Sequence, residues 1–137
     1  MRAGAFGAAL ALCIVQAEAG SWVKTDKGCE VWNSDPKPGE TATWTGGCAK
    51  GKVSGKGKLT WRKGSQASTY QGSYKAGKRS GFGTFNDGSG NWYSGPFADG
   101  VPHGTGRCFA KQLGREWKCS FKSGRLTAFP SGSKTNP

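Results

Sequence analysis

From residue 41 onward the chain alternates between apolar or glycine positions and polar ones. Gly55, Gly57, Leu59 and Trp61 interleave with Lys56, Lys58 and Arg62 without a break. Tyr70, Gly72 and Tyr74 interleave with Gln71, Ser73 and Lys75, and Tyr93, Gly95 and Phe97 continue in the same register. Side chains two apart on an extended chain point the same way, so this alternation predicts strands with one aromatic–glycine face and one polar face. Trp44, Leu59, Trp61, Tyr70, Tyr74, Phe85, Tyr93, Phe97, Trp117 and Phe121 fall on the glycine face. Lys56, Lys58, Arg62, Lys75, Arg107, Lys118 and Lys122 fall on the other, giving a ribbon with an aromatic side and a basic side.

The alternation is itself repeated. Tyr70, Gly72, Tyr74, Gly77, Gly81 and Gly83 recur 23 residues later as Tyr93, Gly95, Phe97, Gly100, Gly104 and Gly106. Upstream, Trp44, Gly46, Gly51, Gly55 and Gly57 keep the spacing, with Cys48 in place of an aromatic. Downstream, Trp117, Phe121 and Gly124 repeat the first half, with Cys119 in place of a glycine. A period of this length marks one supersecondary unit stacked on the next, and degenerate end copies are what a capped stack would have. Each unit reads as a β-hairpin. The glycine after the aromatic pair sits at the turn, where positive φ is easy for glycine. The next two glycines are expected on the second strand, beneath the rings. The connection Arg62 to Ser68 is polar and reads as a mobile loop.

The string aromatic-x-Gly-x-aromatic-x-x-Gly-x-x-x-Gly-x-Gly, carried by 70–83 and 93–106 and nearly by 44–57, resembles the MORN repeat. The resemblance implies an all-β fold: an elongated, single-layer antiparallel sheet of stacked β-hairpins, with about eight strands by repeat count. The expected units are 44–69, 70–92, 93–116 and a degenerate 117–126. It also implies a scaffold, dimerisation or membrane-proximal module, since in this family catalysis belongs to separate domains. The segment Cys29-Glu30-Val31-Trp32-Asn33, with Pro38-Gly39 after it, is similar to the leader of exported bacterial MORN-repeat proteins.

Residues 1–19 fit such a setting. Arg2 is followed by an apolar, uncharged run from Ala3 to Val15, and Ala17-Glu18-Ala19 offers a small-x-small cleavage point. This reads as a secretory signal peptide, too short to span a bilayer, and places the mature chain in the periplasm or outside the cell. Cys13 would leave with it. Cys29, Cys48, Cys108 and Cys119 remain, an even number in an exported chain, which argues for disulfides. If the strand Cys29–Asn33 pairs with Thr41–Cys48 about Pro38-Gly39, Cys29 faces Cys48. If a hairpin turns about Leu113-Gly114, Cys108 faces Cys119. The expected bridges are therefore Cys29–Cys48 and Cys108–Cys119. Residues 20–43 form the cap before the repeats, with Ser21–Lys27 a short lead-in, and 127–137 a disordered tail.

Composition limits the alternatives. Hydrophobic residues make up 34% of the chain and glycines number 24, so a thick globular core is excluded and a thin stacked sheet is the economical solution. Loss of Arg2 and Glu18 with the signal leaves 19 Lys and Arg against 7 Asp and Glu, and the net charge stays +12. That bias implies anionic partners. In an exported protein nucleic acid ranks last among them, after an envelope protein and anionic phospholipid, lipopolysaccharide or acidic glycan. Self-association through the sheet ends is a further expectation.

No catalytic set is expected. His103 is the only histidine, and no carboxylate or cysteine lies at a spacing that fits a triad or a metal. No cofactor is implied, and the chain is read as a non-catalytic binding or scaffold module. Two surfaces compete. The aromatics Trp44, Tyr70, Tyr74, Tyr93, Phe97, Trp117 and Phe121 would be core, or would line a groove for a partner protein, the two roles being compatible at the end repeats. The basic face would bind anionic lipid or glycan, or be an ordinary solvated face.

Overall fold

Four dipeptides determine where the chain reverses. Lys50-Gly51, Ala76-Gly77, Asp99-Gly100 and Ser123-Gly124 each hold two consecutive residues at positive φ (53° and 78°, 51° and 82°, 54° and 91°, 49° and 86°). Two such residues in succession make the two-residue hairpin turn whose twist matches that of the flanking strands. The computed structural model describes residues 20–127, and among them every regular element is a strand.

The strands are β1 Ser21–Lys24, β2 Glu30–Asn33, β3 Thr41–Trp44, β4 Gly47–Ala49, β5 Lys52–Lys63, β6 Gln66–Lys75, β7 Lys78–Asn86, β8 Trp92–Ala98, β9 Val101–Pro102, β10 Gly104–Ala110, β11 Arg115–Lys122 and β12 Arg125–Leu126. They form one open sheet of 12 strands, with β5-β6-β7-β8-β10-β11-β12 in sequence order. The β3/β4 arm lies against β5, and β9 continues β10 alongside β8. Counting β3/β4 and β9/β10 as single arms, four hairpins supply eight strands, as the repeat implies. All pairings are antiparallel except one bridge, Glu30 to Lys52.

The two second-strand glycines have different jobs. Gly57, Gly83 and Gly106 lie beneath the rings: a Cβ on Gly57 would come within 2.8 Å of the Trp44 ring, and one on Gly106 within 3.0 Å of the Tyr93 ring. Gly55, Gly81 and Gly104 instead sit at φ of 83°, 75° and 118°. At these points the register within each hairpin slips. Gly72 faces Gly83 while Tyr74 faces Arg79, and Trp44 faces Leu59 while Gly47 faces Ser54. The extra residues form a bulge that bends the second strand, and positive φ there favours glycine. The expectation that both glycines make room for rings is corrected for the first of each pair.

Three further expectations are corrected. Cys29–Asn33 does not pair with Thr41–Cys48. Thr41 to Trp44 find matched partners in Arg62 to Leu59 of β5, and β2 pairs with β1, which occupies the expected lead-in segment. Arg62–Ser68 is not a loose loop: β5 and β6 stay paired as far as Lys63 and Gln66, leaving only Gly64-Ser65 to turn. In the last long hairpin Cys108 faces Trp117 and Cys119 faces Gly106, because the turn occupies 111–114, where Gly114 N–H bonds the Ala110 carbonyl. Both disulfides nevertheless join the expected cysteines, Cys29–Cys48 and Cys108–Cys119, with Cα separations of 6.2 and 5.9 Å.

β2 runs across the row of turns. The Glu30 N–H donates to the Gly51 carbonyl, and the Trp32 N–H donates to the Gly77 carbonyl. Cys29 and Val31 thereby join Val53, Ala42 and Trp44 in the core, so the N-terminal arm lies on the glycine face. The turns also bond one another: Gly77 N–H to Val53, Gly100 N–H to Arg79, and Gly124 N–H to Pro102. The expected signal peptide with Cys13, and the tail from residue 128, lie outside the described residues. Thr127, the last described residue, is tied by its N–H to the Ser120 carbonyl.

Candidate binding surfaces

The glycine face is built from rings that lie down along their own strands. Trp44, Tyr70 and Tyr93 each cross the glycine two residues on. Each ring's polar tip donates to the carbonyl three residues on: Trp44 Nε1 to Gly47 at 2.8 Å, Tyr70 Oη to Ser73 at 3.0 Å and Tyr93 Oη to Pro96 at 3.0 Å. A flat-lying ring needs no side chain beneath it, which explains Gly46, Gly72 and Gly95. In the last repeat Cys119 fills that place and bonds Cys108.

The rings form a continuous chain of edge contacts across the repeats. Trp44 meets Tyr74 at 5.1 Å, Tyr74 meets Tyr70 at 5.2 Å, Tyr70 meets Phe97 at 5.0 Å, Phe97 meets Tyr93 at 5.4 Å and Tyr93 meets Phe121 at 4.9 Å. Such edge-to-face geometry is favourable beyond the area buried. Burial pushes the Tyr70 phenol up to about 12, and raises Tyr74 and Tyr93 as well. Trp44, Tyr70, Tyr74, Tyr93 and Phe97 are buried and serve as core. Trp117 and Phe121 are half-buried and open, with Phe85, Pro102 and Leu126, onto a cavity of about 320 Å³.

Lys56, Lys58, Arg62, Lys75, Arg107, Lys118 and Lys122 are all exposed. They do not make one stripe. Lys56, Lys58, Arg62 and Lys75 lie on β5 and β6, where the first three face Ser73, Gln71 and Ala67, and Lys75 faces Lys78 of β7. Lys118 and Lys122 lie on β11, and Arg107 of β10 is ion-paired with Glu116. Between these patches β7 and β8 present Phe82, Thr84, Asn86, Trp92, Ser94 and Pro96, none of them charged.

That middle zone was not anticipated. Phe82 is 66% exposed, the largest exposure among the big apolar side chains described. Trp92 stacks on Phe109 at 5.9 Å with the planes 9° apart, and Thr84 and Ser94 share a hydrogen bond of 2.8 Å. Phe82, Thr84, Trp92, Ser94 and Arg107 line a cleft of about 550 Å³. The signal was present as parity: Phe82, Trp92 and Phe109 are each one residue out of step with Gly83, Tyr93 and Cys108.

His103 is a structural link. Its Nδ1 accepts the Ser123 N–H at 3.0 Å, joining the last turn to the arm before it. Among the described residues no three His, Cys, Asp or Glu side chains gather where they could hold a metal.

The model of the MORN repeat family matches residues 49–66, 70–92 and 93–112. These spans carry the second-strand glycines and the flat-lying rings of Tyr70 and Tyr93. No curated protein matches the chain.

Proposed function

This chain belongs to the MORN-repeat family and is a repeat-based binding or scaffold module; we propose that it is non-catalytic, works in the cell envelope, and holds a partner protein on the outer face of β7, β8 and β10. One observation carries the choice of surface. Phe82, exposed by 66%, faces Pro96, and one cleft runs from it past Thr84 and Ser94 to Trp92, which stacks on Phe109; basic strands flank this zone on both sides. Apolar surface rimmed by charge is the usual form of an interaction site. The glycine face is the poorer candidate, because five of the seven rings expected to line a groove, Trp44, Tyr70, Tyr74, Tyr93 and Phe97, are buried. An envelope setting is supported by the signal-like residues 1–19 and by four paired cysteines.

The test is capture from envelope extract at low and high salt. The parent is compared with Phe82→Ala/Trp92→Ala and with Lys56→Gln/Lys58→Gln/Arg62→Gln. A partner held on the apolar strip leaves the first variant at both salt concentrations and stays on the second at high salt. Undiminished capture by the first variant overturns the reading.

A second reading has its own support. Lys56, Lys58, Arg62 and Lys75 are exposed on adjacent strands and make no ion pair among the described residues, so this patch suits an anionic lipid or glycan surface.

A further inference from the structure

We propose that Arg79 anchors an oxyanion-binding site at the β6–β7 turn, taking the phosphate or carboxylate of a small organic ligand whose apolar part lies against Trp22 and Phe97. The site is separate from the strip on β7, β8 and β10 and does not depend on the partner proposed there; Lys75 of the basic patch also lines its cleft.

Arg79 is the anomaly of the charge distribution. It faces Tyr74 across the hairpin and is half-buried on the glycine face. Its guanidinium carbon lies 5.7 Å from the centre of the Tyr70 ring and 5.3 Å from those of Phe85 and Phe97. Among the described residues it forms no ion pair. Burial lowers its pKa, and the groups that oppose this are Tyr74 and Tyr70, not a carboxylate. A buried charge is costly unless it is paired, and ring faces offset only part of that cost.

The surroundings favour an anion from outside. Arg79, Lys52, Lys75 and Lys78 line one cleft of about 620 Å³, and among the described residues the only carboxylate on its wall is Asp99. Lys78 is ion-paired with Asp99 at 3.5 Å, and Lys52 with Glu30 at 3.0 Å, which leaves Arg79 and Lys75 uncompensated. The cleft also has an apolar floor: Phe97, and the Trp22 ring, which sits so close to the Gly77 backbone that a Cβ there would approach it to 2.5 Å. On its other side Arg79 borders a smaller cleft of about 180 Å³ whose carboxylates are engaged elsewhere: Asp35 pairs with Lys37, and Glu40 accepts from the Asn33 amide. A guanidinium is a planar fork that meets a carboxylate or phosphate through two parallel hydrogen bonds, so the uncompensated charge and its geometry select the same chemistry.

The test titrates the parent protein with phenyl phosphate, benzoate, inorganic phosphate and phenol. Chemical shifts are followed at the Arg79 side-chain N–H by nuclear magnetic resonance. Phenyl phosphate or benzoate, whichever oxyanion the site takes, should move that signal and bind about tenfold more tightly than inorganic phosphate, with phenol inert. Arg79→Lys, which keeps the charge but loses the fork, should weaken binding by about tenfold or more. The proposal is overturned if neither aromatic oxyanion binds, if the Arg79 signal stays still at saturation, or if a folded Arg79→Lys binds as tightly as the parent. The measurement on the parent decides the matter should the variant fail to fold.

Discussion

The ring of Tyr70 occupies the space that a side chain on Gly83 would need. A Cβ built on Gly83 would overlap the phenolic oxygen and the adjoining ring carbons. Tyr70 is held there by its hydrogen bond to Ser73 and by the rings of Tyr74 and Phe97. Gly83→Ala should therefore cost about 1–3 kcal/mol in denaturant unfolding, the usual range for overpacking. Gly47, in a strand with nothing within 4 Å of the place a Cβ would take, is the control. Gly47→Ala should stay within about 0.5 kcal/mol of the parent.

Tyr70→Phe should lose about 1 kcal/mol at neutral pH, the net worth of the hydrogen bond to Ser73. The pH profile adds a signature. The folded pKa is raised from 10.0 to about 12, so the folded state holds the phenolic proton more tightly than the unfolded state. This contribution is fully present below pH 10 and is lost as pH rises toward about 12. The stability gap between parent and Tyr70→Phe should narrow across that window in unfolding curves collected at successive pH values.

Ala76 holds φ of 51° in the turn before Gly77, a conformation that costs an alanine about 1–2 kcal/mol. Asn-Gly is a preferred pair for such turns. Ala76→Asn should raise stability by about 1 kcal/mol, read from the thermal or denaturant midpoint, with the hairpin unchanged.

Vesicle binding tests the basic patch. If the β5–β6 cations hold anionic lipid, Lys56→Gln/Lys58→Gln/Arg62→Gln should abolish most binding to anionic vesicles, each cation contributing about 1 kcal/mol. Arg107→Gln should change little, because Glu116 already takes that charge. Binding should fade with ionic strength and be absent on neutral vesicles. Equal binding of the triple variant and the parent would make the patch a solvated face.

Reducing agent should release the N-terminal arm. With Cys29–Cys48 opened, amide exchange at Glu30 and Trp32 should accelerate before exchange in β6 and β7. The bridge between Cys108 and Cys119 closes a short loop, and its removal should cost roughly 3 kcal/mol on the chain-entropy account.

The repeat was legible because its glycines are not interchangeable with other residues. Gly77 and Gly100 announce a turn, and Gly83 and Gly106 announce a ring above them. The placement of β2 was not legible. Its bonds go to the carbonyls of Gly51 and Gly77, and a backbone carbonyl leaves no mark on side-chain pattern. Phe82, Trp92 and Phe109 could have been placed by parity alone, but the glycines drew the reading to the opposite face. Arg79 has the parity of the glycine face, yet a cation beside a turn reads as solvated. Only the positions of Phe85 and Phe97 reveal it as enclosed.

Stacked repeats ordinarily touch nearest neighbours only, so they can fray inward from either end. The N-terminal arm breaks that symmetry. It is fastened to the first turn at Gly51 and to the second at Gly77, and the Trp32 ring reaches to within 3.9 Å of the Cβ position of Gly100 at the third. The first repeats therefore cannot peel away one at a time, because the same four-residue strand must let go of several at once. Under tension the molecule should have a polarity: from one end β12 peels off β11 and the pull then meets the Cys108–Cys119 bridge alone, whereas a pull on the other end loads several hydrogen bonds and a disulfide in parallel.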